Sequence, residues 1–332
     1  SNSFCTLLGA AMRVLVCGGA GYIGSHLVRE LQRETEHEVV VLDSLEATKG
    51  YAGHMAPGTK IESGDVRDAA FLDQVFTKHA PIDAVVHMCA SIVVPDSVRD
   101  PLAYYDNNVV GALRIAQAMQ KHGCKMLVFS STAALFGTPE KQPIEPDART
   151  APESPYGDTK LVSEGMFRAC EQAYGIRCVF LRYFNACGAH VDGDLGETHD
   201  PETHLIPIVL QVALGKRDKI SIFGTDYATP DGTCVRDYVH VTDLATAHIK
   251  ALGYLAEGKP TNAFNLGSGQ GYSVKEVVEA CRRVTGHAIP AVEVERRPGD
   301  PPTLVASSEK AKAVLGWTPR FDTVDAIVET AW

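Results

Sequence analysis

The sequence predicts an α/β protein, a Rossmann-like doubly wound parallel sheet followed by a smaller α/β C-terminal lobe. Three observations predict it. Short apolar runs alternate with segments of helical length as far as Tyr183, a glycine-rich turn follows the first of those runs, and the alternation fades beyond Tyr183. At roughly 150 residues per domain, a chain of 332 residues has room for about two such units.

The elements follow in order. Residues 13–17, 38–43, 60–65, 84–88, 126–130 and 178–183 are runs rich in Val, Leu and Ile, too short for helices and continuous enough to be strands buried on both faces. Between them, residues 22–33, 68–78, 101–121 and 155–174 have helical length. Ser154 is placed to cap the last of these, with Pro155 as its first residue. Regular alternation implies β-α-β crossovers, hence a parallel sheet with helices on both faces. After Tyr183 the segment 185–201 reads as loop, and the later strand candidates 220–223 and 263–266 are short. The expected division is a cofactor domain over 12–184 and a ligand lobe over 185–332, with a boundary that can interleave; residues 1–11 form an N-terminal extension.

Composition narrows the function. The net charge is −10, which argues against holding nucleic acid through a basic surface; an anionic ligand would need a few placed arginines. The longest weakly polar run, 84–95, is too short to span a bilayer, so no membrane segment is expected. Nine scattered cysteines without a C-x-x-C pair suit reduced thiols and a cytoplasmic location.

Two constellations carry chemistry. GGAGYIGSH places Gly18, Gly21 and Gly24 in G-x-x-G-x-x-G spacing at the start of a helix, where a tight turn lets free N–H groups face a pyrophosphate. Asp43, nineteen residues beyond Gly24 at a strand end, can accept hydrogen bonds from ribose hydroxyls and repel a 2′-phosphate, which favours NAD over NADP. Asp65 is similarly placed near the adenine edge. In the second constellation, PESPYGDTK sets Tyr156 and Lys160 four residues apart on one helix face. A nearby ammonium favours the phenolate, so such a Tyr can take a proton from a sugar hydroxyl. Ser130, Ser131 and Thr132 end the fifth strand at the edge where open sheets bind ligands. Any of the three can be a helix cap, and Thr132 can instead bond the reacting hydroxyl.

These motifs, with YYDNNVVGAL, FSSTAALFG, LRYFNACGA, DGTCVRDYVHVTDLATAH and RRPGDPP in that order, resemble the extended short-chain dehydrogenases/reductases and, within them, the UDP-glucose 4-epimerases. The resemblance covers residues 13–332. It implies that Tyr156 is the proton acceptor, that Lys160 holds the nicotinamide ribose, and that Thr132 occupies the family's Ser/Thr position. It implies that Tyr22, Ile23, Asp43, Asp65, Val66, Met88, Asn107 and Phe184 line the NAD site. On the substrate side, Asn185 would contact the diphosphate, Ser221, Ile222 and Phe223 would embrace the uracil, and Arg236 with Arg297 would clamp the phosphates. His204 and Leu205 would lie beside the sugar nucleotide, and Leu304, four residues after Asp300, would limit the sugar pocket. Three positions depart from the common pattern. Cys17 replaces a Thr, Ile92 stands where some members have a Lys near the nicotinamide, and His204 replaces an Asn. His199 and His204 show no evident third ligand, so no metal is expected.

The resemblance implies an isomerase that epimerises C4 of a UDP-hexose, UDP-glucose or UDP-galactose in the first instance, by transient oxidation to a 4-ketosugar with NAD retained. UDP-N-acetylhexosamine, UDP-pentose and UDP-uronate epimerases share the framework. A sugar-nucleotide 4,6-dehydratase would need a carboxylate pair after Thr132, where this chain has Ala133 and Ala134. A non-catalytic NAD-sensing module would not need Tyr156 and Lys160. The helices at 101–121 and 155–174 resemble those that pair across a homodimer in the family.

Overall fold

The computed structural model describes residues 11–46, 55–56, 58–297 and 300–332. The extension before Ala11 lies outside the described residues, as do Cys5 and Pro298–Gly299 of the RRPGD segment.

Each apolar run forms a strand whose alternate side chains enter opposite cores. In β1 (Arg13–Cys17), Val14 and Val16 join one core while Leu15 and Cys17 join the other. In β2 (Glu38–Asp43), Val39 and Val41 divide in the same way from Val40 and Leu42. This is the period-2 geometry of a strand covered on both faces. With β3 (Lys60–Ser63), β4 (Ala84–His87), β5 (Met126–Thr132) and β6 (Arg177–Tyr183), these strands build a parallel sheet.

The crossovers are α1 (Tyr22–Glu34), α2 (Ala69–Lys78), the series α3 (Val94–Arg99), α4 (Pro101–Tyr104) and α5 (Gly111–His122), and α6 (Pro155–Tyr174). Asp68 caps α2 by accepting from Ala70 and Phe71 N–H, and Ser154 caps α6 by accepting from Gly157 N–H, with Pro155 opening that helix. The continuous helix expected over 101–121 does not form. A π-helical turn at Tyr105–Val110 separates α4 from α5, and its Asn107 and Asn108 side chains turn toward Ser91. Such insertions re-aim side chains, often at sites of function.

Beyond β6 the chain continues as β7 (Asn185–Cys187), α7 (Leu205–Ala213), β8 (Ile220–Phe223), β9 (Val235–His240), α8 (Val241–Ala256) and β10 (Asn262–Leu266). It ends with β11 (Gly271–Ser273), α9 (Val274–Thr285), β12 (Ala291–Val294), β13 (Thr303–Leu304), α10 (Glu309–Leu315) and α11 (Val324–Ala331). The main sheet has seven parallel strands in the order β10-β6-β5-β4-β1-β2-β3. β9 pairs with β7, β11 and β13 in a second sheet, and β8 pairs with β12. Residue 185 therefore opens a short strand, not the loop expected there.

Chain order and spatial division differ. Although both follow residue 184, α8 packs on α1 and β10 extends the main sheet, while buried Trp317 donates its indole N–H to Asp243 O at 2.8 Å. The smaller lobe has its own core, formed among others by Val209 of α7, Val277 of α9 and Ile327 of α11. Where the strand order reverses beside β1, the carboxyl ends of β1 and β4 open a crevice, the position at which open α/β sheets bind ligands.

Candidate active site

A cavity of about 780 Å³ runs from that crevice to the smaller lobe. Its cofactor half starts at the glycine turn. Gly18 has φ +84°, and a Cβ there would stand 2.6 Å from Cys89 N; a Cβ on Gly24 would stand 2.1 Å from Gly18 O. Neither position tolerates a side chain without moving backbone. The N-terminus of α1 has no side-chain cap and no acidic residue in its first turn, so its free N–H groups and positive dipole end suit a diphosphate. Asp43 accepts from Ala20 N–H at 2.9 Å and Leu45 N–H at 2.8 Å, which holds the carboxylate at the cavity wall.

Tyr22, Ile23, Val66, Met88, Asn107 and Phe184 line the same half. The Tyr22 hydroxyl donates to Gly188 O at 2.6 Å, and the Asn107 amide donates to Ser91 Oγ at 3.0 Å. Asp65 also reaches the cavity, but both of its oxygens meet the Arg67 guanidinium, which holds its carboxyl below the usual range. An adenine contact there would share the carboxylate with Arg67. Ile92 also lines the cavity and presents an apolar side chain that is 42% exposed. Together, the bare helix terminus, the Cβ-free turn and the strand-end Asp43 fit a dinucleotide.

The structure separates the three hydroxyls at the end of β5. Ser130 Oγ pairs with the Tyr183 hydroxyl at 2.7 Å. Ser131 donates to Glu164 at 2.6 Å, and Glu164 is itself clasped by buried Arg182 at 2.7 Å. Thr132 caps the short 3₁₀ turn 133–136 by accepting from Ala134 N–H at 3.1 Å, and it lines the cavity with Tyr156. Burial pushes the Tyr156 phenol above its usual value, and the Thr132 bond partly opposes the shift. Lys160 is 4% exposed, donates to Ser130 O at 2.8 Å and sits 4.9 Å from the Phe129 ring centre; burial draws its ammonium down to about 8. Behind Ser130, Tyr183 bonds His248, whose burial lowers it to about 4. Tyr183 and His248 escaped sequence reading because their partners lie on other elements.

In the smaller lobe, Asn185, His204, Leu205, Ser221, Phe223, Arg236, Arg297, Asp300 and Leu304 line the cavity. Ile222 does not. It is 5% exposed and buried, because alternation on β8 turns Ser221 and Phe223 one way and Ile222 the other. Asn185 donates to Asp237 O at 2.8 Å. Arg236 and Arg297 both approach Asp300, at 3.6 and 3.9 Å, and the Arg297 guanidinium lies 4.1 Å from the Phe223 ring centre. These pairings are too long to be tight ion pairs.

His199 and His204 gain partners that the sequence did not reveal. Their Nδ1 atoms approach the carboxylate of Glu197, and Glu202 lies 3.9 Å from both. Beside these carboxylates, Glu197 foremost, His199 rises to about 9.

A model of the "NAD dependent epimerase/dehydratase family" matches residues 14–267. The UDP-glucose 4-epimerase of Halalkalibacterium halodurans is 52% identical over 321 residues, covering 97% of this chain and 95% of that protein. Among solved structures, UDP-glucose 4-epimerase from Brucella ovis in complex with NAD is 44% identical with a TM-score of 0.92, covering 97% of both chains. The enzyme from Bifidobacterium longum in complex with NAD+ and UDP is 38% identical with a TM-score of 0.86, covering 96% of both. With the glycine turn, the Tyr156–Lys160 helix and a match along nearly its whole length, the chain belongs to the NAD dependent epimerase/dehydratase family, alongside the UDP-glucose 4-epimerases.

Proposed function

We propose that the protein interconverts UDP-glucose and UDP-galactose by reversible oxidation at C4, with NAD kept through the cycle. The observation that carries this reading is one cavity with Thr132, Tyr156 and Lys160 at its centre, the glycine turn at one end and two arginines at the other. When bound, NAD supplies a hydride acceptor that becomes a donor again within the same turnover. The residues that hold it are Gly18, Gly21, Tyr22, Ile23, Gly24, Asp43, Asp65, Val66, Met88, Asn107, Lys160 and Phe184.

Tyr156 takes the C4 hydroxyl proton as C4 becomes a ketone, then returns it after the sugar has turned its other face. The Thr132 side chain partly offsets the upward push that burial gives the Tyr156 phenol. Lys160 places a buried cation on the same helix face, anchored by Ser130 O. Neutral Ala133 and Ala134 line the wall after Thr132, so no carboxylate there can serve the elimination a dehydratase needs. Arg236, Arg297 and Asn185 take the diphosphate, with Ser221 and Phe223 on the uracil; His204, Leu205 and Asp300 complete that wall. An anchor remote from the reacting carbon lets the ketosugar reorient without escaping.

Leu304 supports a second reading. It is smaller than an aromatic residue and larger than one that would freely admit an N-acetyl group, so UDP-N-acetylhexosamines are the next substrates to consider. A panel of UDP-sugars assayed for 4-epimer formation tests both. Greatest efficiency with UDP-glucose and UDP-galactose is expected; equal or greater efficiency with UDP-N-acetylglucosamine overturns the first reading in favour of the second.

The partner expected in assembly is a second copy of the chain. Leu102, Leu113 and Val162 on α4, α5 and α6 are 79%, 38% and 41% exposed, and α5 packs directly on α6. Two such faces together would form a four-helix seam.

A further inference from the structure

The geometry points to a zinc-class metal site in the loop that leads into α7, made by Glu197, His199, Glu202 and His204. One ligand atom from each lies within 4.8 Å of every other. His199 Nδ1 is 3.0 Å from a Glu197 oxygen, both imidazoles are 3.9 Å from Glu202, and His204 Nδ1 also meets Glu197. A tetrahedral ion with bonds of about 2.0–2.1 Å holds its donors about 3.3 Å apart, and these separations lie on either side of that value.

Burial supports the assignment. The side chains of Glu197 and Glu202 are 6% and 4% exposed, a costly position for two carboxylates, and among the described residues the cationic groups that pair with them are the imidazoles of His199 and His204. Glu202 is aimed by Thr203 and His204 N–H groups at 2.8 and 2.9 Å, as a second shell fixes a ligand. His199 Nδ1 is buried and close to Glu197, yet it is not aligned for a hydrogen bond. The two imidazole rings stand nearly perpendicular, 5.3 Å apart, so they converge without stacking.

The donor set selects the ion. Two imidazoles with two carboxylates suit Zn²⁺, whereas Ca²⁺ and Mg²⁺ favour oxygen ligands throughout. Two carboxylates and two neutral imidazoles neutralise a divalent charge. Four protein donors make a closed site, so the ion holds structure and does not attack substrate. It would fix a loop whose His199 ring meets Tyr22 of α1 edge-on at 6.3 Å, tying the smaller lobe to the cofactor half. The nearby group His190, Asp192 and Asp194 serves as a contrast, since Arg29 already pairs with Asp194 at 2.6 Å.

The full-length protein, stripped with a chelator, is equilibrated with Zn²⁺, passed through gel filtration and analysed for metal; a parallel sample receives Co²⁺. About one Zn²⁺ per chain is expected, with the intense visible bands of four-coordinate Co²⁺. Glu197→Gln and His199→Gln should retain the wild-type circular dichroism and lose the metal more than about 10-fold, a loss in line with removal of a ligand. A variant carrying Asp192→Asn and Asp194→Asn should bind like wild type. No zinc above background in the wild-type chain, cobalt spectra of six-coordinate type, or equal zinc in the Glu197 and His199 variants would each overturn the site and leave a four-group ion cluster. These readouts do not involve epimerisation, so they stand or fall apart from the proposed reaction.

Discussion

At the scale of single residues, the reaction depends on where protons rest. Tyr156 is half-buried on the wall it shares with Thr132, so Tyr156→Phe removes one oxygen and leaves the ring packing in place. It should keep the fold and bound NAD while kcat falls at least about 100-fold, the lower range for a general base. Near-normal turnover in a UDP-galactose assay would remove Tyr156 from that role. Lys160 adds a pH signature. Its folded-state value of about 8 lies below its ordinary 10.5, so between those values the unfolded chain binds more protons. Below about pH 8 both states carry the charge and the contribution is flat; from there to about 10.5 stability rises with pH as the buried ammonium is relieved. Denaturant titrations of the cofactor-free protein should show wild type gaining stability relative to Lys160→Met across that window. A constant difference between the two would mean that Lys160 is not desolvated as the structure shows.

Elements decide which residues can meet, and here the sequence was legible in part. Continuous Val, Leu and Ile runs could only be strands covered twice, and their parity divides the two cores without ambiguity. The Ser154–Pro155 start of α6 was legible for a local reason, since cap and first turn are adjacent in the chain. The π turn at Tyr105–Val110 was not, because nothing in YYDNNVV marks one inserted residue, and Asn108 is held by Ser91 and Thr159 from other elements. The roles of Ser130 and Ser131 were open for the same reason. Their partners Tyr183 and Glu164 are 53 and 33 residues away. The inward turn of Ile222 follows from strand alternation, which sets its side chain opposite those of Ser221 and Phe223. Since α6 carries both Tyr156 and Lys160, its cap has a catalytic consequence. Ser154→Ala leaves Gly157 N–H without its acceptor and should lower stability by about 1 kcal/mol in thermal or urea unfolding. The same change should reduce kcat more than KM, because the first turn bears the reacting Tyr; unchanged stability would mean water replaces the cap fully.

For the whole molecule, the unresolved tension is between an acidic, well-charged chain and apolar side chains left outside its cores. Among the described residues no helix is long and apolar enough to cross a membrane, so these side chains are not explained as a helical span. Val98 and Leu102 are 63% and 79% exposed, and Leu113 and Val162 are exposed on α5 and α6, which pack against each other. Single exposed leucines are ordinary, but several on helices in mutual contact would, if contiguous, make a patch of the kind that self-associates. A two-fold arrangement needs only this one patch, since an isologous interface presents the same surface twice. Sedimentation velocity at micromolar concentration should therefore give a dimer. Leu113→Glu combined with Val162→Glu would bury four unpaired carboxylates per dimer, and a single uncompensated interfacial charge already costs about 3 kcal/mol. Dissociation should strengthen by more than about 100-fold, turning the species at the same concentration into a monomer with wild-type circular dichroism. A wild-type monomer, or a dimer indifferent to both substitutions, would place the association surface elsewhere.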